Sequence, residues 1–162
     1  MTAYPLSFDH TSPTGRIAFV QSCWHREIVD QIHAGFAEEI NVLGYNDGLI
    51  DRYEVPGAFE IPLHAKRLGK SGRYAAIVAA GFVVDGGIYR HEFVAETVIR
   101  ALMQVQLEVN VPVFSAVLTP HQFHEHDVHQ AFFTSHMVQK GKEAAQACAA
   151  TMNSLARIPA SA

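Results

Sequence analysis

Cysteine is scarce in this chain: Cys23 and Cys148 are the only two among 162 residues, too few for a disulfide framework, so reduced thiols are expected. Positive charge is scarce as well. The 12 Lys and Arg are scattered and outnumbered by 16 Asp and Glu, for a net charge of −4, so no basic stripe exists to neutralise a phosphate backbone and nucleic acid is not an expected partner. No apolar run approaches the roughly 18 residues that cross a bilayer, and Met1 to Gly15 is polar and Pro-containing, without a signal-peptide core. A soluble, cytoplasmic protein with no membrane partner is expected. Two nucleotide signatures are also missing. The first strand-to-helix turn lacks Gly-x-Gly-x-x-Gly, and no Gly-rich loop ends in Lys-Ser/Thr, so no cofactor is expected.

What is present is a regular alternation. With 49% hydrophobic residues the chain suits one domain, read here as a loose tail over 1–15 and a single α/β domain over 16–158. Ile17 to Gln21 is a short apolar run suited to a buried strand, and from His25 to Leu43 the residues Ile28, Ile32, Phe36 and Ile40 recur at helical spacing until Gly44. Leu49 to Val55 alternates as a second strand. Ala58 to Lys70 then reads as a helix with Pro62 in its first turn, where a missing N–H is tolerated. Tyr74 to Val84 is almost continuously apolar, as a central parallel strand covered on both faces should be. Asp85-Gly86-Gly87 breaks that run, and a long helix carries Val94, Val98, Leu102 and Val105 inward as far as Asn110. Val113 to Leu118 is the fourth strand, and a His-rich segment leads to a C-terminal helix with Ala145, Cys148, Met152 and Leu155 on one side. Four strand–helix units predict a three-layer α/β/α sandwich around a four-stranded parallel sheet with right-handed crossovers.

Ligands of such sheets lie at the carboxyl ends of the strands, which confines the search to Ser22–His25, Pro56–Glu60, Phe82–Arg90 and Ser115–His129. Trp24, the only tryptophan, follows a strand directly and offers a flat ring for stacking on a heteroaromatic ligand; packing at the sheet edge is the competing explanation. Cys23 and His25 beside it do not have the spacing of a nucleophile and its base. Ala58, Phe59 and Glu60 open a helix, where free N–H groups and a carboxylate suit a polyhydroxylated chain, although Glu in a first turn is also ordinary helix chemistry. The glycine pair Gly86-Gly87 precedes another helix start, a place for a small phosphate. Arg90 and His91 follow it. Neighbouring helix residues diverge by about 100°, so only one of the two can face a shared substrate squarely. His121, His124, His126 and His129 lie in the His-rich segment with irregular spacing and no accompanying Cys or Glu motif, so no metal site is expected; phosphate binding or a pH-sensitive subunit contact is the alternative. Lys140-Gly141 reads as a helix start offering a permanent cation.

Val55-Pro-Gly-Ala-Phe-Glu-Ile-Pro62, Gly81-Phe-Val-Val-Asp-Gly-Gly-Ile88 and Lys140-Gly141 with its small-residue helix together resemble lumazine synthases, from about Arg16 to the C-terminal helix. The resemblance implies a flavodoxin-like fold and pentamers with active sites between subunits. It also implies an enzyme of riboflavin biosynthesis that condenses 5-amino-6-(D-ribitylamino)uracil with 3,4-dihydroxy-2-butanone 4-phosphate. Trp24 would stack on the uracil, Ala58, Phe59 and Glu60 would hold the ribityl chain, and Phe82, Val83 and Val84 would line the pyrimidine. Gly87 and Ile88 would offer N–H groups to the keto-phosphate, Ser115 would stand where members often carry a pyrimidine-contacting Phe, and Lys140 would sit near the ribityl and phosphate groups. The family's general-acid histidine aligns with Arg90, implied here as the catalytic residue, and its phosphate-binding arginine with His129, or else His124. These departures resemble the second type of lumazine synthase of some alpha-proteobacteria, whose members are decamers of two pentamers. An arginine is a poor proton donor, so weaker catalysis is expected. Two rivals remain at this point: a low-activity protein of the same fold that binds riboflavin or lumazine as reservoir or sensor, and an unrelated phosphosugar-binding α/β enzyme.

Overall fold

The computed structural model describes residues 15–85, 90–120 and 127–159. All but the last residue of the tail read over 1–15 therefore lies outside the described residues. In chain order the elements are β1 (Ile17–Ser22), α1 (Arg26–Val42), β2 (Ile50–Val55), α2 (Ile61–Lys70), β3 (Ala76–Phe82), α3 (His91–Val109), β4 (Val113–Leu118) and α4 (Asp127–Ala156), with short 3-10 turns at Asp47–Leu49 and Ala58–Glu60. The four strands pair in parallel in the order β2-β1-β3-β4. No helix of the described residues is long and apolar enough to cross a membrane.

Period-two alternation along the central strands divides the core into two layers. Ile17, Phe19, Val78 and Ala80 face Ile28, Ile32 and Phe36 of α1 and Met137, Ala145 and Cys148 of α4. Ala18, Val20, Ile77 and Ala79 face Ile61 and Ala65 of α2 and Ala95, Val98 and Leu102 of α3. Both faces of β1 and β3 are thus buried, which is why β3 is apolar throughout and β1 is apolar from Ile17 to Val20. The flavodoxin-like sandwich is therefore as expected.

Three local readings need correction. The helix expected from Ala58 starts as a 3-10 turn and becomes α-helical at Ile61, because Glu60 Oε2 accepts the Gly57 N–H at 2.9 Å and tightens the turn. The first helix starts after His25, which adopts the left-handed conformation (φ 53°, ψ 45°) and turns the chain sharply out of β1. Lys140-Gly141 is not a helix start but lies within α4. Its glycine serves close packing: a Cβ on Gly141 would fall 2.1 Å from the Ile32 carbonyl oxygen of α1, and one on Gly35 would fall 2.1 Å from that of Val138.

Polar networks tie the edge strand β2 to the rest. At the carboxyl end of the sheet the buried Gln21 donates to Asp30 at 2.7 Å and accepts from Arg52 at 2.8 Å, while Arg26 grips both oxygens of Glu54 at 2.7 and 2.8 Å. At the amino end Arg16 Nε donates to Asp51 at 3.0 Å and the Tyr74 hydroxyl donates to the same carboxylate at 2.8 Å. These two donors, Arg16 first, hold the Asp51 carboxyl below the usual carboxylate range. A carboxyl depressed in the folded chain contributes stability that is present above its unfolded pKa and lost as pH falls through the folded value. Melting temperature should therefore drop on acidification below about pH 4, and Asp51→Asn should remove part of that drop. Identical slopes for wild type and variant in a pH series of thermal melts would contradict the linkage.

Candidate active site

Three strand ends and one helix start converge at the carboxyl side of the sheet. The Cys23 N–H donates to the Val55 carbonyl at 2.9 Å, locking the turn after β1 against the end of β2. Trp24 projects from that turn with 72% of its surface exposed. His25 sets its ring edge-on to Phe82, with centroids 5.7 Å apart. Beyond β2, Pro56 and Gly57 lead into the 3-10 turn, and beyond β3 the Val83 N–H donates to the Leu118 carbonyl at 2.8 Å. Together they enclose a cleft of about 470 Å³, walled by Trp24 and His25 from the turn after β1, Pro56 to Glu60 from the turn after β2, Phe82 to Val84 at and beyond the end of β3, and His91 and Val94 from α3. Apolar walls with a few polar groups are the usual constitution of a small-molecule site.

Seven of the expected site residues, Trp24, Ala58, Phe59, Glu60, Phe82, Val83 and Val84, line this one cleft. Arg90 is not among its walls. It precedes α3 in an extended conformation and its guanidinium lies over the Phe93 ring, 4.7 Å from the centroid. His91, the first residue of α3, does reach the cleft, with a side chain only 12% exposed. Ser115 sits exposed on β4, and its Oγ accepts from the Val117 N–H at 3.4 Å. Lys140 belongs to a second hollow of about 190 Å³, bounded by Phe82, Leu118, Pro120, Phe133 and His136. There it pairs with Glu143 at 2.9 Å and holds that carboxyl below its ordinary range. Phe82 borders both hollows. Gly87, Ile88, His121, His124 and His126 lie outside the described residues, as does the side chain of His129 in the first turn of α4.

Reading residue by residue missed Ser22, which is 1% exposed and walls the cleft; its Oγ has no hydrogen-bond partner within the described chain. A serine ending an apolar strand carries no signal beyond its place at a strand end. Cys23 does not wall the cleft; its Sγ instead accepts from Arg26 at 3.3 Å. Cys148 is buried in the core, and burial pushes its thiol well above the ordinary range. Neither thiol is placed as a nucleophile. Among the described residues no three His, Cys, Asp or Glu gather as metal ligands would.

Comparison with known proteins supplies what the geometry leaves open. Residues 14–156 match the 6,7-dimethyl-8-ribityllumazine synthase family. A protein of that name from Rhodococcus erythropolis is 62% identical over 146 residues, covering 90% of this chain and 94% of the relative. The 6,7-dimethyl-8-ribityllumazine synthase 2 of Pseudomonas syringae pv. tomato is 59% identical over 152 residues, covering 92% and 89%. That of Bradyrhizobium diazoefficiens is 59% identical over 143 residues, covering 88% and 86%. The "synthase 2" names agree with the second-type resemblance drawn from Trp24, Arg90 and the His-rich segment. A cleft that gathers seven of the expected substrate contacts, in a chain matched from end to end of its described elements, places this protein in the 6,7-dimethyl-8-ribityllumazine synthase family.

Proposed function

We propose that this chain condenses 5-amino-6-(D-ribitylamino)uracil with 3,4-dihydroxy-2-butanone 4-phosphate to give 6,7-dimethyl-8-ribityllumazine, phosphate and water, in the cytoplasm. The observation that carries the reading is the convergence of Trp24, the Ala58–Glu60 turn and the end of β3 on one cleft of about 470 Å³. Trp24 presents a ring for the uracil, and the turn presents N–H groups and the Glu60 carboxylate to the ribityl hydroxyls. Gly87 and Ile88 are assigned to the keto-phosphate.

The uracil's amine attacks the ketone to form a Schiff base, phosphate is eliminated, and the second ring closes with loss of water. Holding the two reactants together is worth about 7–11 kcal/mol, so positioning is the main contribution of the site. Arg90 adds a fixed charge that stabilises the leaving phosphate or polarises the carbonyl. Removing a hydrogen bond to a charged group costs about 1.5–3 kcal/mol, so Arg90→Ala should lower kcat/KM by roughly 10- to 100-fold. An unchanged single-turnover rate of ring closure would remove Arg90 from the mechanism.

Subunit assembly is part of the proposal. Phe93, Met103 and Leu107 share the outer face of α3 and are 58%, 56% and 75% exposed, and Phe59 and Leu63 are 67% and 59% exposed. Apolar exposure on this scale supports the reading of this face as an interface. Ser115 and Lys140 stand outside the cleft, and a neighbouring copy would bring such residues to it. We assign the chain to a homo-oligomer, pentamer or decamer, with sites shared between neighbours, with His129 and Lys140 near the phosphate and Ser115 near the pyrimidine. Purified protein mixed with both substrates should produce fluorescent lumazine. Absence of that product would overturn the functional reading.

A further inference from the structure

We infer, resting on the reading above, that His91 is the proton-transferring catalytic residue of the condensation, with Arg90 confined to binding and charge. The argument begins with placement. His91 opens α3, next to Arg90 and the segment assigned to the keto-phosphate, and its side chain is 12% exposed and walls the cleft that Trp24 borders from β1. A ketone held between a phosphate near the start of α3 and a uracil stacked on Trp24 lies beside that imidazole. His25 is the other imidazole among the described cleft walls, but it sits edge-on to Phe82 at the uracil end. Arg90 keeps its charge at any working pH, and its guanidinium rests on Phe93.

An imidazole both gives and takes protons near neutrality, and Schiff-base formation needs both. As the amine nitrogen bonds to the carbonyl carbon, the C=O π pair moves to oxygen, which takes a proton from the His91 imidazolium. The nitrogen then releases a proton to the neutral ring. In the dehydration the ring returns that proton to the hydroxyl, which leaves as water while the nitrogen lone pair forms C=N. Loss of the remaining N–H proton to the ring restores the imidazolium. One amine and one ketone have become one imine and one water, and His91 ends as it began. Among the described residues, the other titratable groups facing this position are His25 of the β1 turn, Glu60 of the turn after β2, and Glu92 of α3 itself, whose Oε2 is 3.7 Å from His91 Nδ1.

The test uses the full chain with both substrates. His91→Gln should lower kcat by about 10²-fold, the lower end of what proton transfer contributes, with both KM values little changed and riboflavin still quenching Trp24 fluorescence. The unmodified protein's kcat should depend on pH through an ionisation that His91→Gln lacks and Arg90→Lys retains. Wild-type kcat in His91→Gln, or a raised KM at unchanged kcat, would overturn the assignment, as would a flat profile for the unmodified protein. Failure of the unmodified protein to form lumazine would overturn the functional reading and this inference with it, whereas full activity in His91→Gln would overturn this inference alone.

Discussion

Gly141→Ala should destabilise the protein by about 3 kcal/mol or more, the upper end of the cost of overpacking. The sign is not obvious, because alanine is favoured over glycine inside a helix by about 1 kcal/mol. Geometry decides it. The added methyl would stand 2.1 Å from the Ile32 carbonyl oxygen and 2.8 Å from the Phe36 nitrogen, and both are backbone atoms of α1 that no rotamer change can move aside. Relief requires α1 and α4 to separate, which opens the core between Ile32, Phe36, Ala145 and Cys148. At about 2–4 °C per kcal/mol for a chain of this size, the melting temperature should fall by roughly 6–12 °C. Gly35→Ala should behave similarly, since its methyl would meet the Val138 carbonyl across the same seam. The double substitution should cost less than the sum, because once the helices have parted the second methyl has space. A melting temperature for Gly141→Ala at or above that of wild type would show that the seam yields freely.

The second large effect is expected at Trp24. Its ring is 72% exposed in the single chain and contributes little to the core, so Trp24→Ala should leave the fold of the subunit intact. Stacking of a base on an aromatic side chain is worth about 1–3 kcal/mol by alanine substitution, so KM for the ribitylaminouracil should rise by roughly 10- to 100-fold. KM for the keto-phosphate should change much less. Trp24→Phe, which keeps a flat ring, should recover most of the loss. Steady-state kinetics with each substrate varied in turn would measure both, and an unaltered uracil KM in Trp24→Ala would remove the stacking contact.

The elements that could be read in advance are those in which a single physical cause acts on many residues. Burial on both faces makes β3 apolar from Ala76 to Phe82, and burial of one stripe spaces Ile28, Ile32, Phe36 and Ile40 along α1. Positions set by one contact were harder to read. Gly141 resembled a helix boundary because glycine commonly punctuates helices, yet its role is set by a carbonyl more than a hundred residues earlier in the chain. Likewise the spacing of Arg90 and His91 showed that only one could face the cleft squarely but not which. That choice depended on where α3 begins: Arg90 precedes it in an extended conformation, and His91 is its first residue. The cleft residues were legible because strand ends locate a site topologically; Ser22 fell inside the first of those stretches but drew no role, because its chemistry is ordinary and only its neighbours make it a wall.

The charged row along β2 has a consequence for crowding. As the outermost strand on its side of the sheet, β2 has main-chain groups that could template a foreign strand, a common route to edge-to-edge aggregation. Asp51, Arg52 and Glu54 are all engaged in ion pairs there, so an incoming strand would have to strip fixed charges of their partners before it could pair. Copies of this chain can therefore be concentrated without their sheets joining at this flank.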